Sequence, residues 1–416
     1  MKKHALAIVV STLSTHAMAA GPLLPELGSL NASTAGAGTA ALAESALTAW
    51  TNPAGMSQLK ETNVTVNASI LDTTFDYADL GSTGPAFSNG ENADGGTTTP
   101  AGSFYFVTPI NDQFHAGLSV ASQGGSGVDY GDNFHGGNLL ENVEFITVQI
   151  APAISYKVTD KFAVGAAINL EYFSANGELD VFPGVLPTIG EGKLEANADD
   201  FNVGYTLSAF YKFNEAHRIG LIYRSEIAHY GEGDVKTTQP GFRGNIVNMD
   251  VGLDFIMPQH VQASGVHAVN PQWDMLWSVT WYDLSTWTDL TLDLNNAPIE
   301  IVQRDFDDVW NFAIGTHYQL NEQWRLETGV SYETSPQDDP TKVYMDLPIS
   351  DIWRYGVGAT YRVNDNWQVR GYYDYIDLGT PNIDYTLSLA PSLGNLNGQY
   401  KSYAHYFGLQ ANYRFK

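Results

Sequence analysis

The stretch Trp353-Arg354-Tyr355-Gly356-Val357-Gly358-Ala359-Thr360-Tyr361-Arg362-Val363-Asn364-Asp365-Asn366-Trp367-Gln368-Val369-Arg370-Gly371-Tyr372-Tyr373-Asp374-Tyr375 decides the fold. Trp353, Tyr355, Val357, Ala359 and Tyr361 alternate with Arg354, Gly356, Gly358, Thr360 and Arg362. After Val363-Asn364-Asp365-Asn366 the alternation resumes with Trp367, Val369, Gly371, Tyr373 and Tyr375. Side chains two apart share one face of a strand, so the pattern predicts two strands, each with one greasy and one wet face. Asn and Asp tolerate the positive φ of a tight turn, which makes the polar break a hairpin turn.

The unit recurs. Its other turns are Ile110-Asn111-Asp112-Gln113, Val158-Thr159-Asp160-Lys161, Phe213-Asn214-Glu215, Val269-Asn270-Pro271-Gln272 and Leu320-Asn321-Glu322-Gln323, and Phe114, Phe162, Trp273, Trp324 and Trp367 follow closely. The separations are too irregular for a solenoid or propeller. Two strands and one long variable loop would fill each interval. Short turns at one end, long loops at the other and aromatics near the turns describe an antiparallel transmembrane β-barrel of an outer membrane. A large soluble β-sandwich is the alternative, and the two chain termini argue against it.

Fourteen strand candidates run from Thr62–Tyr77 to Tyr403–Phe415, an even number, as a closed barrel with both ends on one side requires. Closure also removes the unpaired edges that lipid could not satisfy. Ser103–Thr108, His217–Gly231, Val251–Val266 and Trp273–Leu290 are each read as single strands, with Pro258 weakening the third because it cannot donate to a ladder.

Residues 1–19 read as a secretory signal: Lys2 and Lys3, an apolar run from Ala5 to Leu13, and Ala17-Met18-Ala19 as the cleavage site. Absence of any 18-residue apolar run excludes a membrane helix. The chain has no cysteine, which excludes disulfide and thiolate chemistry, and its formal charge of −26 disfavours nucleic acid. Acidic loops suit solubility and a lipopolysaccharide-covered surface bridged by divalent cations. No cofactor or metal is expected, since no metal-ligand spacing appears.

Residues 20–60 are rich in Ala, Gly and Ser, with Gly36-Ala37-Gly38-Thr39-Ala40-Ala41 and then Ala43 to Trp50 reading as short helix, ending in Thr51-Asn52-Pro53-Ala54-Gly55-Met56. Small residues pack closely in a confined space, so this segment reads as a plug inside the barrel of residues 61–416. The dinucleotide-like glycine spacing lacks a preceding strand and carries no weight. Two loops are unexpectedly apolar: Val181-Phe182-Pro183-Gly184-Val185-Leu186-Pro187, and the stretch holding Leu387, Leu389, Leu393 and Leu396. Such residues either pack the loops together or capture a hydrophobic ligand, with Phe182, Val185, Leu186, Leu389 and Leu393 the capture candidates.

Together, Asn52-Pro53-Ala54 after the Ala/Gly-rich N-terminus, Phe106-Val107-Thr108-Pro109-Ile110-Asn111-Asp112-Gln113-Phe114, Ile222-Tyr223-Arg224-Ser225-Glu226 and Asn270-Pro271-Gln272-Trp273 resemble the FadL/TodX outer-membrane transporters for long-chain fatty acids and other hydrophobic compounds. The resemblance spans essentially the whole mature chain. It implies a fourteen-stranded monomeric barrel with an N-terminal hatch carrying Asn52, Pro53 and Ala54. It also implies a lateral opening at a break in the third strand, here Gln123, Gly124 and Gly125 within Ser122 to Gly127. Glycine suits such a break because it adds no packing; the alternative is that these are loop glycines. The implied partners are a long-chain fatty acid or hydrocarbon ligand and the surrounding outer-membrane lipid.

The stretches comparable with the family's carboxylate-binding positions are acidic here, with only Arg304 nearby. Arg224, Arg325, Arg354 and Arg370 alternate onto the inner face as possible carboxylate partners, although lumen arginines usually pair with lumen acids. Neutral substrates such as alkanes or alkylbenzenes therefore gain weight. An enzyme is disfavoured: there is no GxSxG or HExxH, and His260, His317 and His405 lack an evident serine partner. A general porin or a surface-receptor barrel remains the competing class, but neither explains a small-residue plug.

Overall fold

The computed structural model describes residues 31–181, 192–237, 248–294, 297–386 and 391–415. The signal segment lies outside them, as do Phe182, Val185, Leu186 and Leu389. Fourteen antiparallel crossings form the wall among the described residues: β1 (Asn63–Asp79), β2 (Thr98–Pro109), β3 (Phe114–Ala121, resuming at Gly125–Asp129), β4 (Asn142–Lys157) and β5 (Phe162–Val181). Next come β6 (Gly192–Lys212), β7 (His217–Arg224, then Ile227–Thr237), β8 (Asn248–Met257, then His260–Ala268), β9 (Trp273–Tyr282) and β10 (Val309–Gln319). The last four are β11 (Trp324–Glu333), β12 (Ile352–Arg362), β13 (Trp367–Gly379) and β14 (Leu396–Arg414). Pairing of β1 with β14, from Asn63↔Arg414 to Asp79↔Gly398, closes the barrel.

The six hairpin turns share one device. Asn111, Asn214, Asn270, Asn321 and Asn364 each accept two backbone N–H groups on their side-chain oxygen, at 2.9–3.0 Å, and Thr159 does the same with its hydroxyl. The side chain mimics a backbone turn. Just beyond, cross-strand ring pairs ring the wall: Phe114–Tyr156, Trp273–Tyr318, Trp324–Tyr361 and Trp367–Tyr413, at 4.6–4.9 Å.

The wall is inverted relative to a water-soluble protein. Ile154, Ile168, Ile314 and Leu409 are half-exposed or more on the outside, while Thr65, Gln149, Glu171, Ser278 and Glu327 are buried within. Lipid as solvent selects that arrangement. At the loop end, Phe87, Phe134, Leu140, Tyr344, Met345, Leu393 and Leu396 form an apolar core with Tyr77, Tyr400 and Tyr406 of the wall. Tyr130 donates to Met345 O at 2.8 Å and Tyr344 to Leu139 O at 3.0 Å, tying two loops together.

Several elements differ from expectation. The strands expected over His217–Gly231 and Val251–Val266 are each split, at Ser225-Glu226 and at Pro258-Gln259. The strand expected over Trp273–Leu290 stops at Tyr282, and a rim hairpin follows, Asp289–Leu294 with Ala297–Gln303. Trp287 is in phase with Trp273 to Trp281, although Asp283 and Ser285 interrupt the apolar alternation, and its indole donates to Ile256 O at 2.6 Å. The last strand starts at Leu396, well before Tyr403. Among the described residues of the N-terminal segment, α-helix is limited to Thr48–Thr51, with 3-10 turns at Ala32–Thr34 and Pro53–Gln58.

Candidate functional site

The backbone ladder of the wall is interrupted at β3. Strand β2 pairs with β1 up to Asp72↔Thr98, but with β3 only from Phe104↔Val120 to Pro109↔His115. Thr98–Ser103 therefore have a ladder partner on one side only. Pro100 lies on that edge, where its missing N–H costs nothing. The resumed segment of β3 pairs with β4 alone, from Gly125↔Ile146 to Asp129↔Asn142. Between Ala121↔Gln149 and Gly125↔Ile146 the third strand spends one residue more than its neighbour, so the chain bends inward. Ser122, Gln123 and Gly124 make this bend, and Ser122 and Thr147 both donate to Gly124 O, at 2.8 and 2.6 Å. Above the opening, Asp129 N donates to Gly95 O at 3.0 Å and bounds it.

The bend aims Gln123 at a buried polar cluster. Its Oε1 accepts from Gln149 Nε2 at 3.1 Å and from Arg224 Nη1 at 3.3 Å. Arg224 Nη2 donates to the carbonyl of Trp50 at 2.6 Å, and its guanidinium lies 3.9 Å over the Trp50 ring. One arginine thus links the strand break to the N-terminal segment. Gln149 also donates to Glu171, which His229 bridges to Asp200: Nε2 is 2.9 Å from Glu171 and Nδ1 3.1 Å from Asp200.

The four inward arginines are not alike. Arg325 pairs with Glu44 at 2.7 Å and Glu327 at 2.9 Å, Arg354 with Glu333 at 3.0 Å, and Arg370 with Glu327 at 3.2 Å. Among the described residues, Arg224 is the one of the four held by amides and a carbonyl rather than by a carboxylate in ion-pair contact. Its burial (4% exposed) matters because a buried charge without a counter-charge is costly.

Toward the loops, a cleft of about 210 Å³ has an apolar side of Phe145, Leu253, Phe255, Ile256 and Trp287 and a polar side of Asp254, Thr286, Thr288, Asp289, Arg304 and Asp346. Arg304 is already spent on Asp346, 2.5 Å away. Phe255 stacks on Phe173 at 4.7 Å, and Phe173 on His229 at 5.2 Å, so rings run from the cleft to the Glu171 cluster. A larger cavity of about 760 Å³ opens at the turn end, but Glu44, Lys60, Glu61, Glu322, Arg325, Arg362 and Arg414 line it. That lining is too polar for an apolar ligand.

Residues 31–59 are held by inward-facing wall residues on opposite sides. On one, Asn52 Nδ2 donates to Ala40 O at 2.7 Å and Ala209 O at 3.1 Å, Ala54 N donates to Ser208 Oγ at 2.9 Å, and Ser155 Oγ donates to Ala54 O at 3.1 Å. Glycine is required opposite them: a Cβ at Gly220 would strike the Ala40 carbonyl, and one at Gly165 the Pro53–Ala54 backbone. On the other side, Ser33 donates to Glu327, and Arg370 Nη1 donates to Asn31 Oδ1 at 3.1 Å. Glu44 receives Arg325 and, at 3.4 Å, Arg218. Burial raises the Glu44 carboxyl, but the charges of Arg325 and Arg218 outweigh it and bring it down to about 2.

The structure therefore brings Gln123 and Arg224 together against Trp50, while Asn52 and Ala54 are held separately by Ala209, Ser208 and Ser155, and Arg325, Arg354 and Arg370 are engaged in ion pairs. Leu393 is buried in the loop core. Trp50, Gln149, Glu171 and His229 escaped the sequence reading. Trp50 had a signal: it is the single aromatic residue between Asn31 and Leu59.

Comparison with known proteins agrees with this architecture. The profile of the family described as outer membrane protein transport protein (OMPP1/FadL/TodX) matches residues 10–415. A long-chain fatty acid transport protein of Escherichia coli O6:H1 strain CFT073 is 25% identical over 371 residues, covering 80% of this chain and 82% of the relative. Outer membrane protein P1 of Haemophilus influenzae strain Rd is 24% identical over 368 residues, covering 76% and 77%. Among solved structures, a Pseudomonas aeruginosa FadL homologue superposes with a TM-score of 0.85 at 18% identity, covering 96% of this chain and 100% of that one. The Pseudomonas putida toluene transporter TodX gives 0.68 at 14% identity, covering 89% and 94%. With its profile matched almost end to end, the chain belongs to the OMPP1/FadL/TodX family of outer-membrane transport proteins.

Proposed function

We propose that this protein is a passive channel for long-chain fatty acids, with residues 31–59 as its hatch and the β3 opening as its exit into the membrane. One observation carries the reading: Arg224, buried between the strand break and the hatch, has no carboxylate in ion-pair contact among the described residues. A ligand carboxylate would supply the direct partner there, nearer than Glu171, which lies beyond Gln149. The tail would come through the aromatic cleft and along Phe255 and Phe173. Burial contributes about 0.8 kcal/mol per CH₂, so a chain of about sixteen carbons leaves water without an energy source. An exit through the wall spares an apolar molecule the polar turn-end cavity. The name of the Escherichia coli relative, a long-chain fatty acid transport protein, supports the same class.

A second reading, a channel for neutral hydrocarbons, is favoured by the cleft itself, where Phe145, Phe255 and Trp287 face a ligand and Arg304 is paired with Asp346. Uptake of labelled oleate and labelled toluene by cells lacking their own transporter separates the two, with deletion of Asn52 to Ala54 as control. Oleate uptake that collapses in the deletion supports the fatty-acid channel. Toluene without oleate makes it a hydrocarbon channel. Neither, with a folded barrel in the membrane, refutes both and leaves a porin or receptor.

A further inference from the structure

The wall has a second interruption, between β6 and β7. The ladder pairs Thr206↔Arg224 below it and Asp199↔Glu232 above it. Between those pairs, Asp200 to Tyr205 of β6 face Ser225 to Gly231 of β7 with no ladder. A simple bulge unpairs one residue; this gap runs over six residues of β6, roughly 20 Å of strand.

Side chains stand in for the missing backbone bonds. Tyr205 N donates to Ser225 Oγ at 3.0 Å, Tyr230 N to Asp200 Oδ2 at 3.2 Å, and Asn202 Nδ2 to Ala228 O. A backbone bond also spans the gap at its lower end, Ser225 N to Tyr205 O at 3.0 Å. A side chain interposed between two backbones opens by rotation about its χ angles, whereas a ladder must be unzipped. The seam is closed, but by movable parts.

Its surroundings suit an amphiphile. Outside, Phe201, Val203, Tyr205 and Tyr230 are 45%, 50%, 48% and 65% exposed, continuing the apolar belt. Inside lie Ile227 and His229, and Arg224 is the last paired residue beneath the gap. The β3 opening and this seam thus flank the Arg224 cluster, with β4 and β5 between them.

We propose that the β6–β7 seam is a second lateral port, through which molecules with an apolar tail and a hydrogen-bonding head pass between the lumen and the surrounding lipid. The head exchanges hydrogen bonds with Asn202, Ser225 and Asp200 as they swing aside, and the tail follows the outer rings. The proposal rests on the channel reading above.

The chain has no cysteine, so Val203→Cys with Ala228→Cys, both on the outer face of the seam, allows the seam to be locked by oxidation or by a short bifunctional thiol-reactive crosslinker. The control pair is Ala166→Cys with Leu207→Cys, on directly paired residues of β5 and β6. Locking the seam should lower labelled-oleate uptake several-fold relative to the control, and reductant should reverse the disulfide form. Unchanged uptake overturns the port. A second readout needs no transport: the folded protein in phospholipid vesicles is irradiated with a diazirine-bearing palmitate and the labelled peptides are mapped. Label at residues 200–205 or 225–231 that disappears on locking supports the port, and label confined elsewhere overturns it. If the wild type takes up no oleate, the channel reading falls while the peptide map still decides the seam.

Discussion

Replacing Arg224 with Gln removes the charge and keeps a hydrogen-bonding side chain at the same place. Arg224 offers a fork of donors beside Gln123 and Gln149, in a site shielded from water. Hydrogen bonds to a charged group contribute about 1.5–3 kcal/mol net. With about 1.4 kcal/mol per tenfold, oleate should bind roughly 10- to 100-fold more weakly. Oleyl alcohol has the same tail and no charge, so its affinity should change little. The contact with the Trp50 face is also lost, at about 0.5–2 kcal/mol, which loosens the hatch for both ligands alike. The informative quantity is therefore the oleate effect divided by the alcohol effect. Displacement of a fluorescent fatty acid from the purified barrel at pH 8 measures it, with heat-modified gel mobility as the check on folding. Equal weakening of acid and alcohol would reduce Arg224 to a support for the hatch, and no weakening of either would remove it from the site.

Two more outcomes follow from the geometry. Deleting Gly124 removes the extra residue between Ala121↔Gln149 and Gly125↔Ile146 and should let β3 pair continuously; oleate uptake should fall by more than half in a barrel of normal gel mobility, and unaltered uptake would discard the β3 exit. Glu44 titrates at about 2 instead of its ordinary 4.5. A depressed carboxyl stabilises the folded state above its unfolded value and loses that contribution as pH falls through the folded one. Ion leak through the wild type in a planar bilayer should thus stay flat from neutral to about pH 5 and rise as pH drops from there toward 2. Glu44→Gln should leak more at neutral pH and show no such rise, and a variant indistinguishable from wild type would exclude Glu44 as a hatch anchor.

The turn end of the barrel was legible in sequence, and the loop end much less so. Near the turns, lipid imposes strict alternation on one face, and Asn at a fixed offset closes five of the six hairpins, as at Asn321 and Asn364, with Thr159 closing the other. Past the apolar belt neither constraint operates. The start of β14, Leu396 to Ser402, packs against loops and not against lipid, so its outward residues carry no pattern. The rim hairpin after Tyr282 was hidden because Trp287 keeps the strand period while serving a cleft. The β3 break was readable from its glycines, and the weakness at Pro258 marked a real interruption. What no pattern could supply was which arginine lacks an acid. Arg224, Arg325, Arg354 and Arg370 all alternate onto the inner face, and the acids of three of them come from different places: Glu327 lies two residues from Arg325 on the same strand, Glu333 on the strand beside Arg354, and Glu44 on the N-terminal segment.

The contacts of residues 31–59 also constrain how the molecule is built. The segment is joined to β1 by Lys60, Glu61 and Thr62 alone, and β1 is the strand that meets β14 to shut the wall. Its partners are scattered from His115 on β3 to Arg414 on β14. No half-built sheet presents them all at the right separation. Full seating of the segment is therefore expected to accompany closure of the wall by β1 and β14.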